Sequence, residues 1–392
     1  MAEVQLATAL EKQIWIKDYF KEYVRASRFG PYIKTGDDSI IVAKMELQEE
    51  AGKTINIPLI TRLTGEGVSG SQVLDGNEES LGNYNCAISI DWRRNGVRVP
   101  KSTSYKTEID LLNAGRAMLK QWEAEQLRTD IIYASEEVVT TGDTTVYYGG
   151  ISVDSTNGGY RITAAESGGG TFTRNGVTYT SATEAQKDAY LVANSDRILF
   201  GASRSNASSN DFSTSLANID NTSDKMTTAT ASLAKRMAMN ADPHIRPFML
   251  GDGREYFVMF TGPRSFRDLK LDTAMVNANR DARAREGSGM DKNPLFQDGD
   301  LIYDGIIFRE VPEIPHVVGV GNGGIDVECN VLCGQQAIGI AWGQQPTPRT
   351  DNLKDYQFRP GVAIEELLKV KKLAFNSKQH GCVSVWTAAV GD

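Results

Sequence analysis

Histidine and cysteine, the side chains most often recruited for catalysis and metal binding, are nearly missing from this chain of 392 residues, which has three of the first and four of the second. His244, His316 and His380 stand far apart, so nothing favours a Ser/His/Asp group over histidines that are simply hydrogen-bonded in the structure. Cys86, Cys329, Cys333 and Cys382 are too few and too scattered for the disulfide framework of a small secreted protein, and a reducing cytoplasm is expected at synthesis. Only Cys329 and Cys333 are close, so a zinc site would need distant pieces. Small apolar core residues on a strand are the simpler reading, and no metal or cofactor is expected.

Other absences narrow the function further. No G-x-S-x-G elbow, H-E-x-x-H helix, C-x-x-C pair or G-x-x-x-x-G-K-[ST] loop occurs, and the glycines at 168, 169 and 170 are not followed by a Lys-Ser or Lys-Thr helix. The acid pairs Glu49-Glu50, Glu78-Glu79 and Glu365-Glu366 adjoin in sequence, where side chains point apart, so they give no glycosidase-type dyad. The chain is expected not to be an enzyme. It lacks any run of about 18 apolar residues, the length a membrane span needs. Its first residues, MAEVQLATALEKQIW, lack the apolar core of a secretory signal. Positive charge is also in deficit, the net of −8 arguing against a protein whose main work is gripping nucleic acid. Local basic groups at Arg93, Arg94, Arg98 and Lys101, at Arg280, Arg283 and Arg285, and at Lys369, Lys371 and Lys372 read as solvated faces or intersubunit ion-pair partners.

What is present suits a large soluble protein: 40% hydrophobic residues, enough for two or three folding units. Leu6, Leu10, Ile14, Ile16, Phe20, Tyr23 and Val24 recur at helical spacing, closed by Gly30-Pro31, and read as an arm. Ile55, Ile57 and Leu59, then Cys86, Ile88, Ile90 and Trp92, alternate with polar residues as strands do. Between them lies LTGEGVSGSQVLDGNEESLG, a glycine-rich and acidic loop of a length that is uncommon unless functional. A lone two-stranded hairpin is marginal in water, so its apolar face is expected to rest on another surface, that of a neighbouring subunit.

From Tyr105 to Glu137 the spacing of Ile109, Leu112, Leu119, Trp122, Leu127 and Ile131 predicts one long helix. Residues 141 to 183 turn rich in Thr, Gly, Ser and Tyr, with a hairpin at Asn175-Gly176, and read as a β-rich surface insertion not essential to the core. The stretch 213 to 240, with Leu216, Ile219, Met226, Ala229, Leu233 and Met237, predicts a second helical region. A strand over Tyr256 to Phe260 precedes a helix capped by Ser265, and Asp304-Gly305 turns another hairpin. NVLCGQQAIGIAW reads as a buried strand and turn, and LLKVKKLAF and CVSVWTAAV as a terminal hairpin around residues 376 to 381. The mixture is α+β.

The order of these parts resembles the HK97-like capsid fold, with its N-arm, E-loop, peripheral (P) domain built on a long spine helix with β-strands, and axial (A) domain. LTGEGVSG, LDGNEESLGNY and IDWRRNGVRVP are similar to the E-loop region of phage major capsid proteins, and GPRSFRDLK, GIIFREVPEIP and NVLCGQQAIGIAW fit more loosely. The resemblance implies an arm over 1–45, an E-loop over 46–100, a spine helix over 101–140 and the insertion over 141–189. It further implies a first A-domain part over 190–289, P-domain return strands over 290–315, and the remaining A domain with a C-terminal hairpin over 316–392.

It implies a major capsid protein of a tailed bacteriophage, made in the host cytoplasm and built as hexamers and pentamers into an icosahedral shell around double-stranded DNA that it contacts only weakly. Scaffolding, portal and decoration proteins are the expected partners, with no membrane. The intersubunit contact is expected at Ile55, Ile57, Leu59, Leu63, Leu74, Leu81, Ile88, Ile90 and Trp92. Some relatives join subunits by a Lys to Asn isopeptide bond; no such pair is matched here, and Lys53 and Lys101 read as surface lysines. An encapsulin-like nanocompartment shell and a surface adhesin are the alternatives.

Overall fold

The computed structural model describes residues 27–46, 52–63, 65–106, 109–140, 145–156, 158–163, 170–249, 253–282, 296–297 and 300–391. Residues 1–26 of the expected N-terminal arm and the arginines at 283 and 285 lie outside them, while Ile41–Lys44, within the expected arm, pairs in parallel with Ile338–Asp351. By its internal contacts the chain divides into two compact units, one of residues 1–27, 92–127 and 344–367, the other of 28–91, 128–343 and 368–392.

In the first unit, residues 361–367 of the strand Gly361–Lys372 lie between residues 344–351 of Ile338–Asp351 and residues 92–98 of Asp91–Arg98. From Val362 on, the residues of Gly361–Lys372 alternate between buried and half-buried, and Val362 and Ile364 pack against Leu119, Leu112 and Trp122 of the helix. Parity puts Glu366 on the buried face and Glu365 on the other, so these adjoining acids do point apart.

The long helix runs Leu111–Ser135. It starts later than its apolar spacing predicts, because Asp110 ends the preceding turn: its carboxylate accepts from the backbone N–H groups of Leu112 (3.2 Å) and Asn113 (3.1 Å). Tyr105 and Ile109 therefore fall outside the helix. At 1.5 Å per residue the helix is about 37 Å long.

The second unit is built on an eleven-stranded sheet. Glu255–Thr261 lies between Ile306–Glu310, which is parallel to it, and Val327–Cys333, which is antiparallel. Helices Thr228–Asn240 and Pro263–Leu271 contribute Ala231, Ala234, Met237, Phe266 and Leu269 to a core completed by Phe257, Met259, Phe308, Leu332 and Val383. Asp304 and Gly305 both have positive φ, as the expected tight turn requires, with Tyr303 opposite Ile306. Asn175 and Gly176 turn the Phe172↔Tyr179 hairpin the same way.

Several expectations are corrected. The Leu216 to Met237 region is two helices, Phe212–Ala217 and Thr228–Asn240, because Thr227 caps the second through the N–H of Thr230; Ile219 and Met226 are buried in the connection. The Pro263 helix is capped at Gly262, and Ser265 is buried inside it. The β-rich segment is not a mere surface insertion, since Gly150–Val153 and Tyr160–Thr163 extend the large sheet through His316–Val317 and bury Ile162.

Strands at 300–310 belong to the same sheet as 255–261 and 327–333, so the division expected at 289/290 does not fall where the sheet divides. The expected terminal hairpin is reduced to a short one, Ala374–Phe375 against Lys378–Gln379, because Cys382–Ala388 pairs instead with Val327–Cys333 and Ile198–Phe200. All seven residues of Cys382–Ala388 are buried, as in a strand covered on both faces.

Candidate assembly surface

Thr54–Ile60 and Asn83–Ser89 form a two-stranded ribbon, antiparallel with Ile55 opposite Ile88 and Ile57 opposite Cys86. Alternation sorts its faces. Ile55, Ile57 and Leu59 are half-buried while Thr54, Asn56, Pro58 and Ile60 are exposed; on the partner strand Cys86 and Ile88 are buried. Pro58 has no N–H to give, which an edge position in a two-stranded ribbon tolerates.

The base of the ribbon finds cover in its own unit. Ile55, Ile57 and Leu59 face a cleft of about 480 Å³ shared with Val42, Lys44, Leu373 and Phe375. Ile88 sits against Gly339, where a Cβ would come within 3.0 Å of its Cδ1 and 2.8 Å of Leu373 Cδ2, so a larger residue there would make both side chains shift. The Lys371 ammonium donates to the carbonyl of Ala87 (3.1 Å), and Arg62 pairs with Asp242 across 3.1 Å at the surface.

Beyond Ile60 the picture reverses. The tip is closed by its own polar groups: Thr61 N–H donates to Gly82 O (2.9 Å), Gly65 N–H to the Glu79 carboxylate (2.6 Å), Gly76 N–H to Glu78 (2.8 Å) and Asn77 N–H to Leu74 O (2.8 Å). With these acids turned to the loop's own backbone, its apolar side chains are left outward. Leu63 is 59% exposed, Val73 69%, Leu74 57% and Leu81 63%. A monomer gains nothing from such a display, and apolar patches of this kind mark interaction sites.

Of the nine residues expected at the contact, Leu63, Leu74, Leu81 and Trp92 are exposed in the single chain, Ile55, Ile57 and Leu59 are half-buried, and Ile88 and Ile90 are buried within it. Ile88 and Ile90 are therefore spent on their own subunit. Sequence reasoning passed over Val73 and Ile60, and also the turn Lys354–Gln357, where Asp355, Tyr356 and Gln357 all take left-handed φ without a glycine. Each such residue costs about 1–2 kcal/mol. The turn holds Tyr356 and Leu353 out in solvent, while Asp355 pairs with Arg359 (3.1 Å) and, nearby along the strands, Arg98 with Asp351 (3.0 Å) and Arg349 with Glu365 (2.6 Å). No glycine or proline at 354–357 signals it.

The basic groups are partly internal. Arg93 is buried in an ion pair with Glu366, and Lys372 is buried with its ammonium donating to Glu137 O (2.9 Å) and Gln379 Oε1 (3.3 Å). Neither is a solvated face or an intersubunit partner. Glu184, Asp188 and Asp211 gather within 4.8 Å, and each accepts from backbone N–H groups at the start of the Phe212 helix, from Ser213, Phe212 and Thr214 respectively. Of the histidines, His316 lies buried 3.1 Å from Asp154, with burial pushing its pKa down, and His380 packs on Phe375 with its pKa pushed down to about 4 by burial.

Glu328 carries a measurable consequence. Fully buried, it accepts from the Ser265 N–H (2.9 Å) and so serves the start of a helix whose own cap, Gly262, has no side chain; a Cβ there would lie 2.0 Å from the Glu328 oxygen. Burial raises its pKa from 4.5 to about 7 despite those hydrogen bonds. The folded state then holds a proton the unfolded state releases, so stability is full below pH 4.5 and falls as pH rises toward 7. Glu328→Gln is expected to remove this loss, up to about 3 kcal/mol, which urea unfolding of both proteins at pH 5 and pH 8 checks. Equal pH dependence in the two would disprove it.

Comparison with known proteins follows the same lines. The family described as phage capsid protein matches residues 4–390. The major capsid protein of Pseudomonas phage KPP25 is 23% identical, over 97% of this chain and 95% of that protein. Among solved structures, the capsid asymmetric unit of cyanophage Pam1 is 41% identical with a TM-score of 0.83, covering 100% of both chains. The capsid of Ralstonia phage GP4 is 21% identical with a TM-score of 0.70, covering 99% of this chain and 98% of that one, a likeness of fold.

Proposed function

The chain belongs to the phage capsid protein family and is a phage major capsid protein with the HK97-like fold, and from that premise we propose that its ribbon tip is the part that grips the next subunit in the shell. One observation carries this reading: a loop whose Glu78 and Glu79 are bonded to its own backbone while Leu63, Val73, Leu74 and Leu81 face outward. The half-buried base then sets the direction of the ribbon, and the tip supplies apolar contact.

On this reading residues 46–100 act as the E-loop, the Leu111–Ser135 helix as the P-domain spine, and the unit containing 190–289 and 316–343 as the A domain, meeting its copies in hexamers and pentamers. Many modest contacts, each reversible, close by symmetry into a shell more stable than any one of them. The net charge of −8 keeps free subunits apart in solution and the inner wall from adhering to packaged double-stranded DNA. Scaffolding, portal and decoration proteins are the partners such a shell takes, with the virion as its destination and the host cytoplasm as its place of synthesis.

Negative-stain microscopy of the protein expressed alone and together with its neighbouring genes tests the reading. Closed shells or capsomers are expected. A protein that stays monomeric at high concentration in both settings would overturn it.

A further inference from the structure

Three of the four cysteines gather in the large sheet, and two of them stand directly opposite each other: Cys333 at the end of Val327–Cys333 and Cys382 at the start of Cys382–Ala388. The hydrogen bonding fixes what kind of opposite pair this is. In an antiparallel ladder, hydrogen-bonded and non-hydrogen-bonded pairs alternate. The next pair along is bonded, with Gly334 N–H donating to Gly381 O (2.8 Å), and at the far end Ala389 N–H donates to Asp326 O (2.9 Å).

Counting inward from either end makes Cys333 and Cys382 a non-hydrogen-bonded pair. The N–H groups of Ser384 and Ala388, which share the parity of Cys382, indeed turn the other way, to Arg197 O and Asp224 O. Such pairs bring Cα atoms to about 4.5 Å and side chains closest together, inside the Cα range a disulfide spans.

Both thiols are free in this structure, that of Cys382 3.5 Å from Gln379 Oε1 and that of Cys333 3.9 Å from Val331 O. The other two cysteines have different partners across their strands, Trp386 for Cys329 and Ile57 for Cys86.

We propose that Cys333 and Cys382 are a latent cross-strand disulfide site, open while the chain folds and assembles in reducing surroundings and closed later by a small peroxide oxidant. The thiolate of one attacks the peroxide, giving a sulfenic acid and hydroxide; the second sulfur displaces water from that sulfenic acid. Two thiols and one hydrogen peroxide thus become one disulfide and two waters. Both side chains are buried, so the oxidant has to be a small one, and burial pushes both thiols up, so the reaction is slow at neutral pH and faster in alkali.

The bond would close a loop of roughly fifty residues that contains all of Ile338–Asp351 and of Gly361–Lys372, a constraint that favours the folded state. Its timing rests on the shell reading; its chemistry does not.

The test treats the free subunit, and separately whatever assembly it forms, with hydrogen peroxide, then unfolds each and counts thiols. The count should fall from four to two, with a mass loss of about 2 Da, a single linked peptide pair containing Cys333 and Cys382, and reversal by dithiothreitol. Cys86→Ala and Cys329→Ala should each still lose two thiols, and Cys382→Ala none; if Cys382→Ala does not fold, the other two variants decide. Four surviving thiols, added oxygen at Cys333 or Cys382, or a link to Cys86 or Cys329 would overturn the proposal. Failure to assemble would count against the shell reading and leave the thiol count of the subunit unchanged.

Discussion

Replacing Leu63, Leu74 and Leu81 together by aspartate is expected to abolish shell formation while leaving the subunit folded. The three side chains are 59%, 57% and 63% exposed, and the bonds that shape the tip run through Thr61, Gly65, Gly76, Asn77, Glu78 and Glu79 instead. The fold of the single chain therefore loses little. An interface loses much more, since burying one leucine contributes about 1.5–3 kcal/mol, and every 1.4 kcal/mol is tenfold in affinity. Three new carboxylates beside Glu78 and Glu79 add repulsion wherever the tip is pressed onto a surface.

Because each subunit in a shell repeats the contact, a loss of even thirtyfold per contact is multiplied through the lattice. Light scattering should show no particles, and circular dichroism an unchanged spectrum with a melting temperature within a few degrees of the parent. Normal particles would remove the tip from the interface. A collapsed spectrum would mean that the leucines serve the subunit's own core.

The half of this surface that sequence reveals is the half set by local rules. Ile55, Ile57 and Leu59 alternate with polar residues, and the strand they predict is Thr54–Ile60. Asn175-Gly176 and Asp304-Gly305 sit where two successive positive φ values are needed. What remained hidden depended on residues distant in sequence. Ile88 fits the same alternation as Ile57, but whether its face is covered by its own chain turns on Gly339, whose missing Cβ lets the ribbon base approach. Cys382–Ala388 is buried on both faces, so its apolar run says that it is central and not which strand lies beside it. At Tyr105 to Ile109 the helical spacing of apolar residues continued past the point where Asp110 stops it, and a cap outweighs periodicity at a helix end.

Glu366 shows how far a charge can mislead. It lies in a run, EELLKVKK, whose lysines read as solvated, yet strand parity buries it to 1% exposure, with Arg93 at 8% and the guanidinium Nε 2.5 Å from its carboxylate. Arg93→Ala is accordingly expected to cost about 3–5 kcal/mol, because it strands a carboxylate away from water, and not because the pair itself is worth so much. Glu366→Ala should cost a similar amount through the arginine left behind.

The double replacement Arg93→Met with Glu366→Leu separates the two accounts. If desolvation is what each single change exposes, the double variant should recover to within about 1–2 kcal/mol of the parent, since apolar residues of like size replace a buried pair at little cost. If the pair is itself a strong net attraction, the double variant should remain as unstable as either single one. Urea midpoints of the free subunit, measured without assembly so that mass action does not mask the difference, decide between them. Recovery would also mean that the pair between the Asp91–Arg98 and Gly361–Lys372 strands is not kept for its net contribution to stability.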